Sequence, residues 1–117
     1  MWIITQTGFL SAVQATDDPT TVVVRARVRG DLTALRDTFG DQFGYKPDVI
    51  AYGFSDYPYR VLVSREVLTR FLAEQVQQIN YGNFKGRVAQ VSGRERMGVY
   101  HQVWADLMDL EQLEGAE

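Results

Sequence analysis

Residues 59–82 read YRVLVSREVLTRFLAEQVQQINYG, and this stretch decides the fold. Tyr59, Val61 and Val63 alternate with Arg60, Leu62 and Ser64, the two-residue period of a strand with one buried face. At Ser64 the period changes. Its hydroxyl can accept a hydrogen bond from a free N–H of a first helical turn, and Glu66 places negative charge where the helix dipole favours it. Beyond it Leu68, Phe71, Leu72, Val76 and Ile79 mark one helical face, against Arg70, Glu74, Gln77 and Gln78 on the other. Gly82 is placed to end that helix in a left-handed conformation. A strand running straight into an amphipathic helix predicts an α/β or α+β domain.

Upstream, Trp2-Ile3-Ile4-Thr5 and Phe9-Leu10-Ser11-Ala12-Val13-Gln14 read as a hairpin, with Gly8 supplying the positive φ of its turn. Asp17-Asp18-Pro19 reads as a turn, because aspartates bond the local backbone and proline presets φ. Residues 21–29 form the most regular strand pattern, with Val22, Val24, Ala26 and Val28 on one face and Val23, Arg25, Arg27 and Arg29 on the other. Asp31 is placed to cap a short helix carrying Leu32, Leu35 and Phe39 and closed by Gly40, and residues 41–47 read as a loop. Residues 49–54 pair with 59–64 as a second hairpin.

Downstream, Asn83 caps a helical turn with Phe84 and Val88. Ser92-Gly93-Arg94-Glu95 has the spacing of a capping box, which predicts the start of a last helix striped by Met97, Tyr100, Trp104, Leu107 and Met108. The expected architecture is a twisted, mostly antiparallel sheet of about five strands with helices packed on one face, a ferredoxin-like arrangement being the alternative. Residues 1–110 read as one α+β domain, and 111–117 as an acidic tail that frays.

The chain has 117 residues, 45% of them hydrophobic and 23% charged, which is the composition of a globular domain. Its net charge of -3 gives no general attraction to polyanions, so any cationic site must be local. No apolar run approaches the ~20 residues that cross a bilayer, and no signal segment is evident, so the expected location is cytoplasmic. The absence of cysteine excludes disulfides, thiolate zinc sites and cysteine nucleophiles.

Several pieces of the chain, taken together, resemble a family of small bacterial and bacteriophage proteins for which no activity is established. They are Met1-Trp2 with Thr5, Gly8-Phe9, Ser11 and Val13-Gln14; the run from Val24 to Arg29 with Asp31-Leu32; Asp56-Tyr57-Pro58-Tyr59-Arg60; Asn83-Phe84-Lys85; and Tyr100-His101 with Val103-Trp104. Residues 40–53 depart from that family's pattern. The resemblance implies no substrate, cofactor or catalytic residue. Its phage members point, by analogy, to a regulator or inhibitor of a host protein.

Candidate binding residues fall into two groups. Arg25, Arg27 and Arg29 on one strand face could grip phosphates or carboxylates, and Arg60 would join them if its strand lies alongside. The ordinary alternative is a solvent face paired with carboxylates across strands. Asn83 and Lys85 at a helix start, and Tyr100, His101 and Trp104 on the last helix, are the second group. His101 is the only histidine, and no nucleophile, base and orienting group come as a set, so the expectation is a non-catalytic protein with no cofactor and no metal site. Its expected partner is a protein, with a homodimer also expected. Binding of nucleic acid or phosphate through the Arg25/Arg27/Arg29 face is the alternative.

Overall fold

The computed structural model describes residues 1–115. They form two compact units, Met1–Ile79 and the described residues from Asn80 onward. The first holds strands β1 (Trp2–Thr5), β2 (Gly8–Ala15), β3 (Asp18–Ala26), β4 (Ile50–Ala51) and β5 (Tyr59–Ser64), with helices α1 (Thr33–Phe43) and α2 (Arg65–Gln77). The second holds α3 (Phe84–Ser92), α4 (Arg94–Leu107) and α5 (Asp109–Gly115).

Every strand pair is antiparallel, in the order β1-β2-β3-β5-β4. The sheet is built as expected, but without the ferredoxin-like connections. Only β3–α1–β4 makes a split crossover: β3 and β4 run parallel with β5 between them. One face is covered by α1 and α2 and forms a continuous core. Val24, Ala26, Leu32, Leu35, Val61 and Val67 are fully buried there, and Phe71 is the largest side chain so enclosed. Burial of each such aliphatic or aromatic side chain stabilises the unit by about 1.5–3 kcal/mol.

The junction from β5 to α2 follows the sequence reading, with Ser64 Oγ accepting the Val67 N–H at 3.2 Å. The far end does not. The helix stops at Gln77, before Gly82, and Val76 and Ile79 are exposed rather than part of the apolar stripe. Tight β1–β2 pairing depends on Gly8, whose φ is +148° and whose missing Cβ would lie 2.5 Å from the Asp31 carboxyl carbon. Asp31 therefore does not cap a helix. Its buried carboxylate instead accepts the Phe9 N–H at 3.0 Å and ties the first hairpin to the turn after β3.

Other local differences have equally local causes. The β2–β3 turn is Thr16-Asp17 rather than Asp17-Asp18-Pro19, with Asp17 itself at φ +63°. The exposed Asp18 carboxylate accepts from Thr20 and Thr21, and those hydrogen bonds hold its pKa below the ordinary value of 3.8. Strand β3 ends at Ala26, so Val28 is exposed and Arg29 opens a 3-10 turn, Arg29–Leu32, instead of extending the strand. The following helix runs past Gly40 to Phe43 and closes on Gly44 at φ +76°.

In the second unit Asn83 caps α3 as expected, accepting the Gly86 N–H at 3.0 Å. Ser92 is the last residue of that helix, so the capping box does not form. Gly93 at φ +94° separates α3 from α4, and α4 starts without a side-chain cap. Residues 111–115 are helical, where fraying was expected, while 116 and 117 lie outside the described residues.

Candidate interaction face of the sheet

Strand pairing fixes which side chains share the face that α1 and α2 leave uncovered. Trp2 is opposite Ser11, Ser11 opposite Arg25, Arg25 opposite Arg60, and Arg60 opposite Ile50. These five residues form one lateral row across all the strands. A second row runs Val13, Val23 and Leu62, and Ile4 and Phe9 flank the first on its other side. The residues that pairing places on this face include no lysine, aspartate or glutamate. Trp2 is 74% exposed, Leu62 48% and Val13 41%, so apolar surface is presented outward.

The arginines of this face are held by aromatic rings and hydroxyls. Arg25 lies over the Tyr57 ring at 4.6 Å, and Arg27 lies over the same ring at 4.9 Å. Arg60 lies over Tyr52 at 4.6 Å. Cation–π attraction of this kind contributes about 0.5–2 kcal/mol per pair, more as water is excluded. Arg25 Nη2 donates to Ser11 Oγ at 2.7 Å, Arg60 Nη2 to Ser55 Oγ at 3.0 Å, and Arg27 Nη1 to the Asp56 carbonyl at 3.0 Å. Tyr57 is buried and touches Phe9, which in turn packs edge-on against Trp2.

Among the described residues no direct ion pair compensates this charge; the Asp56 carboxylate is linked to Arg60 through the Ser55 hydroxyl, which donates to Asp56 Oδ1 at 3.2 Å. Arg25 and Arg60 are direct cross-strand neighbours, an arrangement that like charges destabilise. Among the described residues neither they nor Arg27 form an ion pair, and the carboxylates expected across the strands are not there. The Nε atoms of Arg25 and Arg60 are buried without a hydrogen-bond partner. Such donors cost about 1–3 kcal/mol each.

Of the residues singled out in sequence, Arg25, Arg27 and Arg60 are thus brought together. Arg29 is not, because the strand ends before it. Sequence reasoning missed Trp2, Phe9, Ser11, Tyr52 and Ser55 as parts of this face, and Tyr57 entered only among the residues that carry the resemblance. The parity of β2, with Phe9, Ser11 and Val13 alternating against Leu10 and Ala12, was a signal that could have found three of the face's residues.

The second unit brings another group together. Lys85 Nζ is 3.0 Å from His101 Nδ1 and 4.1 Å from the Trp104 ring centroid, and His101 stacks on Trp104. Trp104 is exposed, whereas Tyr100 is buried, stacks on Phe84 and receives a hydrogen bond from Arg96. Asn83 stays occupied as a cap. Among the described residues no group of three His, Asp or Glu side chains is placed to hold a metal ion, and no helix is long and apolar enough to cross a membrane. The chain matches no family model, no curated protein and no solved structure.

Proposed function

We propose that this chain is a non-catalytic interaction protein that docks a protein partner on the uncovered face of its sheet. The observation that carries the reading is the composition of that face: Trp, Phe, aliphatic and Arg side chains, with no lysine or carboxylate at the positions that strand pairing fixes. This is the makeup of the buried centre of protein interfaces, where aromatics and arginine are enriched and other charges depleted. The resemblance to bacterial and phage proteins makes a host protein the partner and regulation or inhibition the effect. The encounter is placed in the cytoplasm, a reducing compartment that a chain without cysteine suits.

Affinity capture from bacterial lysate with Leu62→Asp beside the wild type tests it. The variant should fold and lose a captured protein that Val76→Asp, on the exposed side of α2, retains. Equal capture by all three proteins would refute the docking face.

The arginines stacked on tyrosines favour one second reading, binding of single-stranded nucleic acid. Phosphate-driven binding weakens steeply as salt is added, and apolar docking does not. Binding of an oligonucleotide with that salt dependence would replace the protein reading. Self-association is proposed for the second unit, where Val99, Leu107, Leu110 and Leu113 of α4 and α5 are exposed. Sedimentation showing only a 13.3 kDa species at high concentration would exclude it.

A further inference from the structure

The centre of the lateral row carries a more specific consequence, which rests on the docking reading. Each of its two guanidiniums commits Nη2 to a serine and its flat face to a tyrosine. Among the described residues Nη1 of Arg25 and Nη1 of Arg60 donate to no protein group, and they are not among the buried unpartnered atoms. Two forked cations side by side, one terminal nitrogen of each uncommitted and neither in a direct ion pair, form half of an ion-pair network; the Asp56 carboxylate reaches Arg60 only through the Ser55 hydroxyl.

We infer that a carboxylate of an acidic partner protein completes it, seated between Arg25 and Arg60 with the apolar side chains of Val23 and Leu62 beside it. The ligand is the side chain of a partner Asp or Glu. Three observations favour it over a phosphate of nucleic acid. Aliphatic residues flank the pair on the row above, where a sugar-phosphate chain would need cations to follow it. The face has no lysine at the positions fixed by pairing. The net charge of -3 opposes a long polyanion but not a single carboxylate beside apolar side chains.

The site also explains why arginine is the residue used. Stacking on Tyr57 and Tyr52 fixes each guanidinium plane before a ligand arrives, so less side-chain freedom is lost on binding. Lysine would keep the charge and lose both the fork and the stacking.

The test uses the full chain and side-chain ¹H–¹⁵N spectra of the arginines. The probes are a short peptide of alternating glutamate and leucine, the same peptide with glutamine for glutamate, and a short oligodeoxythymidine. The glutamate peptide should shift the Arg25 and Arg60 signals and the glutamine peptide should not. Arg60→Lys should weaken that binding by about tenfold or more, whereas Arg29→Lys, outside the row, should leave it unchanged. Dispersed backbone amide spectra confirm that each variant is folded, and Ser55→Ala gives a second, milder perturbation of the same guanidinium.

Unshifted arginine signals, wild-type affinity in Arg60→Lys, or stronger shifts with oligodeoxythymidine would each overturn the carboxylate site. If they do so while lysate capture still depends on Leu62, the docking reading stands and only the carboxylate is lost. Failure of both removes the face itself.

Discussion

Tyr57 is the keystone of the arginine face, and replacing it separates the work of its ring from that of its hydroxyl. The ring is buried, holds Arg25 at 4.6 Å and Arg27 at 4.9 Å, and meets Phe9 at 6.2 Å between centroids. The hydroxyl makes no hydrogen bond to the described residues. Tyr57→Phe should therefore change unfolding free energy by less than about 0.5 kcal/mol, since the π face and the packing remain.

Tyr57→Leu keeps most of the apolar volume and removes the π face. Arg25 is half-buried and Arg27 exposed, so the first contact falls in the upper part of the cation–π range and the second near its floor. Together with the lost contact to Phe9, the expected cost is about 2–3 kcal/mol. Urea denaturation followed by Trp2 fluorescence, in a Trp104→Phe background, measures it within the first unit. Double-mutant cycles apportion it: Tyr57→Leu with Arg25→Met should couple by about 1–1.5 kcal/mol, and with Arg27→Met by about 0.5 kcal/mol. The reasoning is refuted if Tyr57→Phe costs as much as Tyr57→Leu, or if the Arg27 coupling exceeds that of Arg25.

Phe71 is 1% exposed at the centre of the α2 interface, so Phe71→Ala should destabilise the first unit by about 3–5 kcal/mol in thermal or urea unfolding. Val76→Ala, on a residue 60% exposed on the same helix, should stay within about 0.5 kcal/mol. Gly8→Ala forces a side chain into a positive-φ position and into the Asp31 carboxyl, so a cost of about 2–4 kcal/mol is expected, with loss of hydrogen-exchange protection at the Phe9 amide. The Asp18 carboxyl has a folded pKa below its unfolded value of 3.8, so its stabilising contribution is complete above that value and is lost as pH falls through the lower folded one. Acid titration of stability should accordingly be shallower below that pH in Asp18→Asn than in the wild type.

The parts of the fold that were legible in sequence are those decided by neighbours along the chain. Ser64 sits where a two-residue period meets a helical one, and its hydroxyl reaches the N–H three residues on; every atom in that decision lies within one turn. Asn83 repeats the logic at α3. Ser92-Gly93-Arg94-Glu95 shows its limit, because a spacing of serine and glutamate is only permissive. Here α3 runs on through Ser92, and the backbone of Gly93 turns away at φ +94° before the box can close.

What the sequence withheld is whatever depends on where a neighbouring strand stops. The alternation of residues 21–29 continues past Ala26 without a flaw, yet β5 begins at Tyr59, opposite Ala26, and β2 is paired to β3 only as far as Ser11 opposite Arg25. With no ladder on either side, the backbone groups of residues 27–29 have no strand partners, and the chain folds into a 3-10 turn instead. That single non-local fact removes Arg29 from the stripe. The same ladder brings Arg60 directly opposite Arg25, a juxtaposition visible only once the register is known. Two of the three collinear arginines, Arg25 and Arg27, join Arg60 around Tyr57 and Tyr52, and it is the cross-strand pair, rather than the strand-long stripe, that concentrates positive charge on an otherwise apolar face. A stripe would suit a polyanion running along it. A pair set in aliphatic surroundings suits one acidic side chain arriving with the rest of a protein surface.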